Sequence, residues 1–154
     1  MSDTGRLLAS WQRWSGLPGG KWLFSVMVGR MAPYTGTIRP RVEELRPGYA
    51  RVRLRDRKRV RNHLRSVHAI ALMNLAEVAS GLAMLAGMSP DSRSILTGLS
   101  IEYVKKARGT LVAESEFVPP RSSERQEHVI PAVVRDSSGD EVARAEARWL
   151  VGPK

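Results

Sequence analysis

Apolar residues recur at helical spacing twice near the amino end of the chain. Leu7, Leu8, Trp11 and Trp14 share one face of a helix predicted over residues 4–15, and Trp22, Leu23, Val26, Met27 and Met31 mark a second over 20–32. Gly16-Leu-Pro-Gly-Gly20 separates the two, and Pro33 closes the second. The period then changes to two. Residues 35–45 and 49–56 read as strands joined by the turn Arg46-Pro-Gly48. In the second of them Val52 and Leu54 alternate with Arg51, Arg53 and Arg55, the pattern of a hairpin with one wet face. A basic loop over 57–66 follows. Next comes a run over 68–87 that is apolar nearly all round. Four further strands are predicted over 93–107, 109–119, 125–136 and 141–151, with turns at Gly109 and Ser137-Ser-Gly-Asp140. The last alternates Ala143, Ala145, Ala147 and Trp149 against Arg144, Glu146 and Arg148. Its small inner side chains suit a sheet that sits close to whatever it covers.

The order is therefore helices, two strands, one long helix, then four strands. A helix without a polar face belongs inside something, and a six-stranded antiparallel sheet needs something to cover, so an α+β domain with the long helix wrapped by a curved sheet is expected. The run 69–88 is long enough to cross a bilayer, but it carries Glu77 near its centre together with Asn74 and Ser80. A central acid costs about 2.5–3.5 kcal/mol on insertion scales. The run reads instead as a buried helix.

Glu77 is thereby the most informative residue. A lone carboxylate among Ala, Leu and Met is costly unless it is paired, neutralised or used. Burial raises its pKa, and a carboxyl with a raised pKa is a useful base or nucleophile.

Composition narrows the chemistry. With no cysteine in the chain, disulfides, thiolate catalysis and cysteine–zinc sites are excluded. His63, His68 and His128 are the only histidines and have no metal-ligand spacing, so no metal is expected. No Gly-x-Ser-x-Gly motif marks a serine nucleophile. Met1-Ser-Asp-Thr4 carries an acid, and no signal-like apolar run follows, so a cytoplasmic location is expected. The net charge of +10 suits phosphorylated ligands, nucleic acid or acidic lipid. The basic strip at Arg51, Arg53, Arg55, Arg57, Lys58, Arg59, Arg61 and Arg65 has no interleaved aromatics, and no recognition motif accompanies it, so nucleic-acid binding rests on charge alone. Trp11, Trp14 and Trp22 are expected to anchor the amino-terminal helices on the sheet or on a partner subunit. A membrane-surface role for that basic, aromatic end is a minor alternative.

The layout resembles the hotdog fold, and local residues sharpen the likeness. Asn62, His68 six residues later and Glu77 nine residues after that fall at the spacings of the PaaI-like, phenylacetate-type branch of hotdog thioesterases. The strand Leu99-Ser-Ile-Glu-Tyr-Val-Lys-Lys-Ala-Arg-Gly109 resembles the family's next strand. The resemblance covers about 34–151, leaving 1–33 as a helical extension before a hotdog domain at 34–154. That extension is similar to an uncharacterised sister group. One departure stands out: the family's Gly-Gly after the histidine is Ala69-Ile70 here.

The resemblance implies an acyl-coenzyme A thioesterase, with coenzyme A as part of the substrate and no separate cofactor. It implies a homodimer or a dimer of dimers, with active sites between chains. Glu77 would act as base or nucleophile and the Ala69 N–H would bind the oxyanion. Asn62, His68 or His63 would hold the water or carbonyl. By helical spacing, Ile70, Asn74, Glu77 and Gly81 share one stripe toward the acyl pocket, with Met73 and Met84 on its floor. Thr97 lies where the family places a supporting hydroxyl. Arg59, Arg61, Lys105 and Lys106 are candidate contacts for the coenzyme A phosphates. The alternative is a non-catalytic hotdog protein that holds a fatty acyl or aromatic ligand, which the Ala69-Ile70 replacement favours.

Overall fold

An apolar helix must be enclosed, and the computed structural model, which describes residues 3–122 and 124–154, encloses this one with both sheet and helices. Helix α4, Ala69–Gly87, touches all six strands of one antiparallel sheet. The strands are β1 (Arg41–Arg46), β2 (Tyr49–Leu54), β3 (Ser92–Tyr103), β4 (Leu111–Glu116), β5 (Gln126–Arg135) and β6 (Glu141–Pro153). Their order across the sheet is β1-β2-β4-β5-β6-β3. The inner faces follow the predicted alternation: Val52 and Leu54 are fully buried, and Ala143, Ala145 and Ala147 on β6 are buried too. The alanines let β6 lie close to α4, while Trp149 closes the gap farther along. Its indole sits over Gly81 at 3.2 Å from where a Cβ would be, and its Nε1 donates to Ser80 Oγ at 3.3 Å. Ser80 Oγ in turn donates to the Glu77 carbonyl, so this buried hydroxyl is satisfied.

The amino-terminal helices complete the cover. In α1, Asp3–Trp14, residues Leu7 and Trp11 are buried, and Trp11 meets Phe24 of α2, Gly20–Met31, edge to face at 5.1 Å. Phe24 and Val28 join the same core as Leu75, Ala79 and Leu82 of α4. Most of α4 is thus buried inside the fold, although it is long and apolar enough to cross a membrane.

Four expectations are corrected. The strand predicted over 35–45 begins at Arg41, because Pro33 opens a short helix, α3, over Pro33–Gly36; its fixed φ suits a first helical position. The strand predicted over 93–107 ends at Tyr103. There Val104 and Lys105 N–H both turn to the Val142 carbonyl, and the chain leaves the sheet so that Ala107 can accept from Val67 N–H at 2.7 Å. Trp22 does not anchor its helix within this chain: it is 51% exposed, whereas Trp11 is buried. The strand predicted over 109–119 is also trimmed to β4, Leu111–Glu116, where Phe117 N–H turns to the Gly48 carbonyl.

Gly48 fastens the hairpin between β1 and β2 to the core. It sits at φ +78°, donates to the Ala83 carbonyl at 3.2 Å and accepts from Phe117 N–H at 2.9 Å. A Cβ there would lie 2.4 Å from the Phe117 carbonyl oxygen. Gly48→Ala is expected to lower the unfolding free energy by about 1–3 kcal/mol through the left-handed backbone alone, with the clash adding to it. Urea denaturation of the two proteins measures this, and equal midpoints would contradict the account.

Candidate functional site

Helix α4 begins where the loop before it is pinned. Asn62 Oδ1 accepts from Leu64 N–H at 2.9 Å and from Ser66 N–H and Oγ, each at 3.2 Å. Arg65 takes a left-handed φ of +57° to close that turn. His68 N–H then bonds the Val60 carbonyl, tying the loop to a 3-10 turn over Lys58–Val60. His68 is the N-cap: its Nδ1 accepts from Ile70 N–H at 3.0 Å. The Ala69 N–H, first in the helix, has no acceptor among the described residues. It points out of the positive end of the helix dipole and is free to hold a developing negative charge.

Around this helix end lies a pocket of about 210 Å³, lined by Tyr34, Ile38, Arg59, His68, Ile70 and Asn74 among others. Asn74 is buried. Its Nδ2 donates weakly to the Tyr34 carbonyl at 3.4 Å, while its Oδ1 has no hydrogen-bond donor among the described residues. Leaving such an oxygen bare costs about 1–3 kcal/mol, which a donor on a bound molecule would recover.

From the pocket an open flank runs up α4 through Ile70, Met73 and Glu77. Ile70 is 49% exposed, and Met73 and Glu77 are partly covered. No side chain among the described residues bonds or pairs with the Glu77 carboxylate. In particular it makes no bond to Asn74, one turn before it on the helix. Burial pushes the Glu77 carboxyl up from its ordinary value, and no neighbouring charge opposes the shift. An unpaired, half-buried carboxyl on the open side of an otherwise apolar helix is an acid–base group in waiting.

The other predicted residues divide. His68, Ala69, Ile70, Asn74, Arg59 and Arg61 gather at the helix end. Met73 and Glu77 lie on the adjoining flank, and Asn62 and His63 in the loop below. Gly81 does not join them. The helical spacing is right, but Trp149 covers the stripe from that point on, and Met84 is likewise buried against β5 and β6. Thr97 is also elsewhere: it lies at a bulge in β3, and its hydroxyl bonds Glu127 and the Arg148 carbonyl on the outer face of the sheet. Lys105 is occupied by Asp136 and Asp140, both at 2.8 Å, bonds that raise its pKa. Lys106 is exposed, away from the pocket. Arg61 is held by Asp56 at 2.6 Å. Burial works to raise the Asp56 carboxyl, but Arg61 and the Gly109 N–H outweigh it and hold it below its ordinary value.

Two tyrosines join the site that sequence reasoning gave no role. Tyr103 Oη donates to the Ala69 carbonyl at 2.9 Å and so ties the end of β3 to the first turn of α4, while Tyr34 walls the pocket. Tyr103 belongs to the strand motif that carried the resemblance, and that was the available signal. Nothing local marks Tyr34, whose position depends on α3.

A six-stranded antiparallel sheet around one central helix, with an open site at the helix start, defines a hotdog-fold protein. Within that class the chain belongs to the family described as Domain of unknown function (DUF4442), whose model matches residues 20–151. A crystal structure from a genomics programme is 34% identical and superposes with a TM-score of 0.84, covering 97% of this chain and 99% of that one. A Pseudomonas aeruginosa protein of unknown function, described as a "Probable Thioesterase", is 22% identical, with a TM-score of 0.77 over 90% of this chain and 97% of that one. A thioesterase family protein from Silicibacter pomeroyi is 17% identical, with a TM-score of 0.72 over 84% and 96%. A search of curated proteins found no similar sequence.

The buried acid has a measurable cost. Its folded-state pKa is raised, so the folded chain holds the proton to higher pH than the unfolded chain does. Stability is therefore full below the ordinary glutamate value and declines as pH rises through the raised one. Glu77→Gln removes that decline. The variant is expected to melt above the wild type at neutral pH, with the gap closing as the medium is acidified. A gap that is constant with pH would show that Glu77 does not titrate between the two states.

Proposed function

We propose that this protein hydrolyses an acyl-coenzyme A thioester, in the manner of PaaI-like hotdog enzymes, with Glu77 as the base. The observation that carries the reading is the unpaired Glu77 carboxyl on the same open flank of α4 as the free Ala69 N–H. The thioesterase names of the structural neighbours agree with it. The thioester carbonyl oxygen accepts from Ala69 N–H, which stabilises the charge that develops on it. Glu77 takes a proton from water as the water oxygen bonds the carbonyl carbon. The tetrahedral intermediate then expels the thiolate, which receives the proton, and the acid product leaves. A thioester carbonyl is electrophilic enough for so sparse a site.

Distance argues for two chains. Ala69 and Glu77 are eight residues apart, about 12 Å along the helix axis, too far for both to act directly on one small carbonyl group. A second copy with its α4 antiparallel would set Glu77 of one chain beside Ala69 of the other. The long open edge of β3, with Ile95 exposed, offers a surface for that pairing. The Ile70 side chain, where the resembling family has glycine, then projects into the shared groove and restricts the acyl group.

Two variants test this together. Ala69→Pro removes the N–H yet suits a first helical position, and His68 before it is already extended at φ −63° and ψ 141°. Glu77→Gln removes the base. Each alone is expected to abolish thiol release across short, long and aromatic acyl-coenzyme A substrates. Mixed dimers of the two regain one intact site per heterodimer, so a random equal mixture should recover about a quarter of wild-type turnover. Turnover by folded Glu77→Gln would remove Glu77 from the chemistry. A dead mixture would confine the site to one chain. A wild type inactive on every substrate would favour the ligand-binding alternative, for which Ile70 in the groove is the structural argument.

A further inference from the structure

A second concavity adjoins the site just described. It is a cleft of about 860 Å³ between α2, α3, the start of β1 and the 3-10 turn. Five arginines line it, Arg30, Arg39, Arg41, Arg57 and Arg59, and no carboxylate does. In the basic strip outside the cleft, three arginines meet acids: Arg51 pairs with Glu43 and Glu114, Arg53 with Glu43, and Arg61 with Asp56. Among the described residues, none of the five in the cleft meets an acid.

The fold holds these charges together against their repulsion. Arg57 is partly buried and donates to the Thr37 carbonyl at 3.0 Å. Burial, then the nearby charges of Arg39 and Arg59, pull its pKa down. Arg39 sits at φ +53°, a strained left-handed conformation that arginine rarely adopts. The wall is rigid, because α2 and α3 meet backbone to backbone at Gly29 and Gly36, where a Cβ on Gly36 would lie 2.5 Å from the Gly29 carbonyl oxygen. Half-exposed Trp22 stands in the lining as an apolar platform. Crowded guanidinium groups without a counter-charge, on a rigid wall and beside an indole face, match a ligand that carries several phosphates and an aromatic base.

We infer that this cleft binds the phosphorylated nucleotide end of the thioester substrate. The inference rests on the reading of the protein as an acyl-coenzyme A hydrolase, and continuity favours it: Arg59 and Thr37 line both the cleft and the pocket at the start of α4. A nucleotide held by the five arginines can therefore feed its acyl arm toward Ala69 and Ile70. The amino-terminal helices thereby become part of substrate recognition as well as cover for the core.

Calorimetric titration with coenzyme A, adenosine 3′,5′-bisphosphate and inorganic pyrophosphate tests this on the full chain. The double variant Arg39→Gly/Arg41→Gln, which leaves Arg59 of the pocket at the start of α4 in place, is the control. Glycine relaxes the strained backbone at 39, so the fold is kept. Expected are salt-sensitive binding to the wild type, a rise in melting temperature with ligand, and a Kd about tenfold or more weaker in the double variant. Trp22→Ala should weaken the two nucleotides and leave pyrophosphate unchanged. In hydrolysis, KM for acyl-coenzyme A should rise in the double variant, while cleavage of an acyl-N-acetylcysteamine thioester, which lacks the nucleotide, should not fall. Equal binding by wild type and double variant overturns the inference, whatever the hydrolysis result. Nucleotide binding lost in the double variant, from a wild type that cleaves no thioester, supports the phosphate site and removes the hydrolase reading instead. Nucleotides that bind no better than pyrophosphate would overturn the nucleotide assignment in favour of a bare phosphoanion.

Discussion

The burial of one helix governs this structure. Nineteen residues of α4 carry almost no polar side chain, so the helix must be surrounded. A single antiparallel sheet supplies most of the cover, and its fit depends on the alanines of β6 and, farther along the same strand, on Trp149. Helices α1 and α2 take the remaining surface, with Trp11, Phe24 and Val28 joining the core. Each fully buried large side chain in that core contributes about 1.5–3 kcal/mol, and the enclosed helix holds many of them together.

The same enclosure defines the chemistry by being incomplete. Cover is missing along Ile70, Met73 and Glu77, and there the one acid of the helix lies with no partner to neutralise it. At the helix start the N-cap uses Ile70 N–H and leaves Ala69 N–H free. Tyr103 holds that turn from the carbonyl side without taking the donor. The result is a fixed dipole end and an unpaired, half-buried carboxyl on one open flank of α4.

Charge is distributed by the same logic. On the outer faces of β1, β2 and β4 arginines and glutamates interleave and cancel, as exposed strand faces commonly do. In the cleft of α2 and α3 no such cancellation occurs, and Arg39 keeps a strained backbone there. The positive balance of the chain is thus partly a solvated surface and partly a concentrated, unpaired cluster beside the catalytic candidate.

Periodicity alone determined the helix order, the buried α4, the wet hairpin face and the small inner face of β6, because each is a local consequence of which side chains repeat at which spacing. It also singled out Glu77, since a charge in an apolar run is visible without any fold. Where strands stop was not legible: Pro33 could close one helix or open another, and the departure of the chain at Tyr103 depends on Val142 and Val67, both far away in sequence. Spacing placed Gly81 on the right face of the helix but could not foresee that Trp149 would cover it. It offered Thr97 without knowing that a bulge turns that hydroxyl outward. Above all, sequence gave the arginines as a single strip along residues 51–65. Only the packing of α2 and α3 against β1 decided which of them are paired with glutamates and which face one another across an open cleft, because charge pairing is settled by distances between elements and not by order along the chain.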